Sequence, residues 1–168
     1  NFKLATGQLH GIFSDKTIEI SNSYPVPNKE DDGTEDDFDS SMMNKLQEVN
    51  MDNNKVGWYQ ISYSNDHLSG DSLATTFDYQ TNLSYAIYFV YDILEVERGF
   101  RNPFKAYRIN PKYLEILKDN KMNFHQMKAL NFKVDKVYQE VPLEIVKTPL
   151  QVAYLYEQKK NLKNRFAD

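Results

Sequence analysis

The chain has 168 residues, of which 40% are hydrophobic and 14% aromatic, enough for one folded domain with a core and too apolar for a disordered segment. It contains no cysteine, which excludes a disulfide framework and any thiolate metal site and permits a reducing compartment. The net charge of −4 is uneven, residues 1–54 holding 4 Lys/Arg against 11 Asp/Glu and the remainder 16 against 13, with no basic face of interleaved aromatics to bind nucleic acid directly.

No apolar run approaches the roughly 20 residues of a membrane span, and no signal-peptide pattern opens the chain. From the start, Gly7 to Phe13 reads as a central strand, with small residues at 7 and 11 flanking apolar ones. Asp15-Lys16 makes a turn, and Thr17 to Tyr24 alternates as a second strand that Pro25 and Pro27 stop. Most of the acidity falls in Glu30 to Asp39, within a loop expected at about 28–39. That run does not keep the alternate oxygen ligands, sixth-position glycine and twelfth-position glutamate of a calcium loop, and a solvated loop is the expected structure.

From Asp39 the pattern turns helical, with Asp39 or Ser40 as N-cap and Phe38, Met42, Leu46 and Val49 on one stripe that Met43 widens. Two adjacent methionines fit either a core or an adaptable partner surface. Lys55-Val-Gly-Trp-Tyr-Gln-Ile-Ser-Tyr63 reads as a buried strand holding the single tryptophan, and Gly57 inside it marks a close approach by a neighbour. A polar loop over 64–71 precedes a helix from Ser72 to about Ser84 that buries Leu73, Phe77, Gln80 and Leu83.

Ala86 to Tyr91 is a continuous apolar run, the mark of a strand covered on both faces. Pro103 to Asn110 alternates as the next strand, and Pro111 opens a helix through Lys118. Asn123 caps a further predicted helix to about Asn131, and 134–146 reads as one long strand or two, broken near Pro142. Thr148-Pro149-Leu-Gln151 is a capping box for a last helix over about 149–164, whose Lys159, Lys160 and Lys163 suit the negative end of its dipole.

Gly7–Phe13, Ile18–Pro27, Met42–Tyr63 and Phe77–Asp92, in that order, resemble the MPN (JAMM) domain family. Ile18–Pro27, Val49–Asp52, Val56–Gln60, Lys105–Ile109 and Glu140–Leu143 are similar, within that family, to its members in eukaryotic translation initiation factor 3. The resemblance implies an α/β, cytidine-deaminase-like MPN fold, a mixed central β-sheet flanked by helices, with 1–168 as a single domain. The family's domain normally begins with a strand and helix ahead of the Gly7 strand, and the full-length protein carries a helical tail, so a core fragment is expected.

Catalytic members of this family hold zinc with a His-x-His pair after the Gly-Trp-Tyr strand, then a serine and an aspartate across a loop. Gln60 and Ser62 stand at the imidazole positions, Gly70 and Leu73 at the other two, and Leu4 where a general-base glutamate belongs. An amide and a hydroxyl do not replace two imidazoles as zinc ligands. His10, His67 (beside Asp66) and His125 are too scattered for a three-histidine site, and Ser69 and Ser72 lack a recognisable His/Asp pair. No catalytic residue, metal or cofactor is therefore expected.

The resemblance implies instead a scaffold in the cytoplasm that joins other translation initiation factor 3 subunits, above all the MPN-bearing subunit f, and meets the small ribosomal subunit through that complex. The helix before the Gly-Trp-Tyr strand commonly contacts the partner in MPN pairs, which makes Met42, Met43 and Leu46 interface candidates. The alternatives are an active zinc isopeptidase, or a scaffold of the proteasome lid or signalosome.

Overall fold

β1 (Thr6–Ser14), buried from Gly7 to Gly11, and β2 (Thr17–Pro25), whose residues alternate along most of its length between half-buried and exposed, form a hairpin. Its two-residue turn places both Asp15 and Lys16 at positive φ, 48° and 67°, the geometry whose twist matches the flanking strands. The computed structural model describes residues 5–26, 35–63, 67–99, 102–120 and 134–165. Along them follow α1 (Glu35–Glu48), β3 (Lys55–Ser62), α2 (Gly70–Asn82), β4 (Ile87–Asp92), α3 (Ile93–Glu97), β5 (Phe104–Ile109), α4 (Pro111–Asn120), α5 (Val134–Val137), β6 (Tyr138–Val141) and α6 (Pro149–Arg165).

The six strands form one mixed sheet in the order β2-β1-β3-β4-β5-β6. Every neighbouring pair is antiparallel except β3 and β4. A parallel pair needs a crossover, and α2 supplies it, packing back onto β3, β4 and β5. Gln80 of α2 fixes that packing: its Oε1 accepts the Ile109 backbone N–H at 2.8 Å. Gly57 lets β3 approach β4, since a Cβ there would stand 2.1 Å from the Ile87 carbonyl oxygen.

The main core joins Trp58, Leu73, Tyr88, Val90, Tyr107, Ile109, Leu117, Val137 and Tyr138, and a smaller cluster joins Leu9, Val56 and Ile87. Much of the main core is tyrosine, so its hydroxyls must find partners inside the protein.

Several expectations are corrected by the structure. α1 begins at Glu35, so the stretch expected to be loop as far as Asp39 is helical from residue 35, and neither Asp39 nor Ser40 is the N-cap. Asp39 lies inside the helix and accepts from the Tyr24 hydroxyl and the Lys55 ammonium. α2 begins at Gly70 because Ser69 and Ser72 form a capping box, Ser72 N–H donating to Ser69 Oγ at 3.2 Å and Ser69 N–H to Ser72 Oγ at 3.1 Å. The predicted strand over 134–146 is reduced to β6, with a helical turn before it and no regular structure over 142–148.

The capping box at Thr148 and Gln151 forms as expected, with Thr148 N–H on Gln151 Oε1 at 2.9 Å and Gln151 N–H on Thr148 Oγ1 at 3.3 Å. The helix expected over 123–131 lies outside the described residues. Among the described residues no helix is long and apolar enough to cross a membrane.

Candidate functional site

β3 and β4 run parallel, and their carboxyl ends, together with the start of α2, mark the crevice where open α/β sheets place ligands. Gln60 and Ser62 sit there on β3, Gln60 opposite Val90 and Ser62 opposite Asp92. Gln60 is half-buried, whereas Ser62 is 1% exposed and its Oγ has no hydrogen-bond partner among the described residues. Gly70 and Leu73 lie in the first turn of α2, and Leu73 belongs to the main core beside Trp58. Leu4 lies outside the described residues.

What meets Gln60 is a phenol. The Tyr88 hydroxyl of β4 lies 2.9 Å from Gln60 Oε1 and 2.8 Å from the His67 carbonyl oxygen. With one proton, Tyr88 donates to one of these at a time; reversing the Gln60 amide would let its NH₂ donate to the phenol and leave that proton for His67. Ser72 Oγ, 2.7 Å from the same His67 carbonyl, supplies a second donor to it. The network runs on to Thr76, whose Oγ1 donates to the Ser72 carbonyl at 2.7 Å and accepts from Trp58 Nε1 at 3.3 Å, with the Tyr138 hydroxyl also 3.3 Å away.

Aromatic faces fill the rest. Trp58 and Tyr88 stack at 4.3 Å and 13°, Tyr88 tilts against Tyr107 at 6.1 Å and Tyr138 at 5.8 Å, and His67 stacks on Tyr107 at 5.5 Å. His67 is 2% exposed, and its Nε2 is 3.2 Å from the Tyr107 hydroxyl, so this histidine is a hydrogen-bonded part of the core.

Burial pushes the Tyr88 and Tyr138 hydroxyls above the usual phenol range, and burial, with Glu140 and Asp92 nearby, pushes Tyr107 up to about 12. All three stay protonated at neutral pH, which suits them as hydrogen-bond donors and not as bases or nucleophiles.

The zinc that the family resemblance implies does not fit these residues. Its positions present an amide engaged by Tyr88, a buried hydroxyl, a glycine and a packed leucine, with neither imidazole nor carboxylate. Among the described residues no three His, Asp or Glu side chains converge. His10 lies near the other end of β3, across from Lys55, and His125 is outside the described residues. Ser69 and Ser72 serve the helix cap.

The interface candidates separate. Leu46 is 8% exposed and buried within its own chain. Met42 and Met43 are half-buried. Met43 rims an open groove of about 540 Å³ with Lys55, Asp78, Tyr79, Leu83 and Tyr85, between α1 and the end of α2. Residue counting missed the tyrosines of the site, although the abundance of tyrosine and the run Ala86–Tyr91 were the available signals.

Comparison with known proteins agrees with this architecture. The family model described as JAB1/Mov34/MPN/PAD-1 ubiquitin protease matches residues 3–84. The H subunit of eukaryotic translation initiation factor 3 from Dictyostelium discoideum is 31% identical over 172 residues, covering 98% of this chain and 54% of that protein. Its counterpart from Bombyx mori is 31% identical over 150 residues, covering 89% and 44%. The chain thus spans about half the length of these curated relatives.

Proposed function

We propose that the chain is the MPN domain of an H-type component of translation initiation factor 3, acting as a non-catalytic scaffold, a reading supported by the family-model match over residues 3–84 and by the two H subunits it resembles. The reading assigns it to the cytoplasm, to a pairing with the MPN-bearing subunit f, and to the small ribosomal subunit through the assembly. One observation carries the non-catalytic part: Gln60, at the first imidazole position, is taken up by the Tyr88 hydroxyl in a crevice filled by the chain's own aromatic side chains.

The partner surface in this reading is the half-buried stretch of α1 at Met42 and Met43, where Met43 borders the groove toward Tyr79 and Leu83. Methionine adapts its shape at little cost and suits such a contact.

Two measurements test the proposal. Met43→Asp should weaken capture of subunit f about tenfold or more while leaving the thermal midpoint of the chain unchanged; undiminished capture would remove Met43 from the interface. Elemental analysis of the purified chain should find well under one zinc per molecule, and one tightly held equivalent would overturn the non-catalytic reading.

A further inference from the structure

A second polar cluster lies near the opposite end of β3 from Gln60. His10 of β1 is 0% exposed, and its ring stacks on Tyr24 of β2 at 5.0 Å and 26°. Among the described residues neither ring nitrogen has a well-formed hydrogen bond, and the Asn53 backbone is the group placed to stabilise a ring N–H. The Tyr24 hydroxyl donates to Asp39 Oδ1 of α1, and Lys55 of β3 donates to Asp39 Oδ2. The titratable groups around the imidazole are therefore Tyr24 from β2, Asp39 from α1 and Lys55 from β3.

These elements are not held equally. β1 is hydrogen-bonded to β2 on one side and to β3 on the other, so all three strands are locked in the sheet. α1 has no strand ladder; Asp39, the edge-on contact of Phe38 with Tyr24, the buried Leu46 and a bond from Met51 N–H to the Leu46 carbonyl oxygen hold it. We propose that His10 is a proton-operated latch on α1: the neutral ring keeps the Tyr24–Asp39–Lys55 clamp closed, and a proton on the ring opens it and frees the helix.

The reason is charge balance. In the closed state one carboxylate faces one ammonium, and each of its oxygens already has a donor. Protonated His10 adds a second cation, itself fully buried and without a hydrogen-bond partner among the described residues, beside a carboxylate whose charge Lys55 already offsets. Burial is the largest effect and lowers the His10 pKa below its ordinary 6.5; the Asn53 backbone raises it, Lys55 lowers it less strongly than Asn53 raises it, and Asp39 raises it least. The closed state thus disfavours the proton, an open one accepts it, and acidification below 6.5 drives the opening.

Amide hydrogen exchange on the full chain, corrected for intrinsic rates, tests the latch alongside the imidazole resonances of His10. Protection of residues 36–48 should fall by about tenfold per pH unit below 6.5, while β3 and β4 keep theirs, until the folded-state pKa of His10 is reached. His10→Phe keeps the ring stack and should make α1 protection independent of pH. Should that variant fail to fold, Asp39→Asn should show low α1 protection already at neutral pH. Constant α1 protection through the acid range, a fall shared by β3 and β4, or the same slope in His10→Phe would each overturn the proposal.

Discussion

Tyr88 places its hydroxyl 2.9 Å from Gln60 Oε1, so the aromatic core of the sheet ends on the amide near the carboxyl end of β3. The same phenol reaches the His67 carbonyl, and one side chain closes the end of β3, the loop after it and the start of α2 together.

Tyr88→Phe should therefore cost about 1–3 kcal/mol in urea unfolding at neutral pH, because Gln60 loses its phenol while the ring packing survives. Gln60→Leu, which removes the amide and can pack against an aromatic neighbour, should cost less. An equal loss in both variants would show that the hydrogen bond is not what holds the region.

Ser72→Ala should exceed Ser69→Ala in its effect. Loss of Ser69 removes a cap worth about 1 kcal/mol. Loss of Ser72 removes the return half of the capping box and also a buried donor to the His67 carbonyl, adding about 1 kcal/mol or more. Denaturant midpoints of the two variants decide the order.

Asp39→Asn should lower stability by about 1–3 kcal/mol at neutral pH, since a carboxylate serving two donors becomes a neutral amide. Burial alone would raise the Asp39 pKa; the Lys55 and Tyr24 hydrogen bonds outweigh it and hold it below 3.8. A depressed carboxylate contributes fully above its unfolded pKa and loses that contribution as pH falls through the folded value. The gap between wild type and Asp39→Asn should then be open at neutral pH and close below 3.8, as paired urea titrations would show.

Gly57→Ala should be among the most damaging single substitutions, on the order of 3 kcal/mol, because the added methyl meets the Ile87 carbonyl of the neighbouring strand. Gly99→Ala, where a Cβ would meet nothing but the backbone sits at φ 78°, should cost about 1 kcal/mol. Thermal unfolding of the pair separates close approach from backbone preference.

Much of the sheet was legible because each strand carries its environment in its pattern. Alternation in β2 reports one covered face, and the unbroken apolar run of β4 reports two. α1 was misjudged at its start because acidic residues suit both a solvated loop and the positive end of a helix dipole. The stretch from 134 reads as strand because Val134 and Val137 are β-formers, yet both lie in a helical turn and Val137 enters the main core from it. In the candidate site, Gln60 and Ser62 could be named from the sequence. The aromatic side chains that surround them could not, because Tyr88, Tyr107 and Tyr138 converge only once β4, β5 and β6 are laid side by side.

The strand order has a consequence for biogenesis. Once the first hairpin exists, β3 joins the free edge of β1, and β4, β5 and β6 each join the free edge of the strand before them. Among the described residues no strand has to be threaded between two that are already paired. A nascent polypeptide emerging from its amino end can extend this sheet in the order of translation, with a single growing edge exposed to misassociation at each stage.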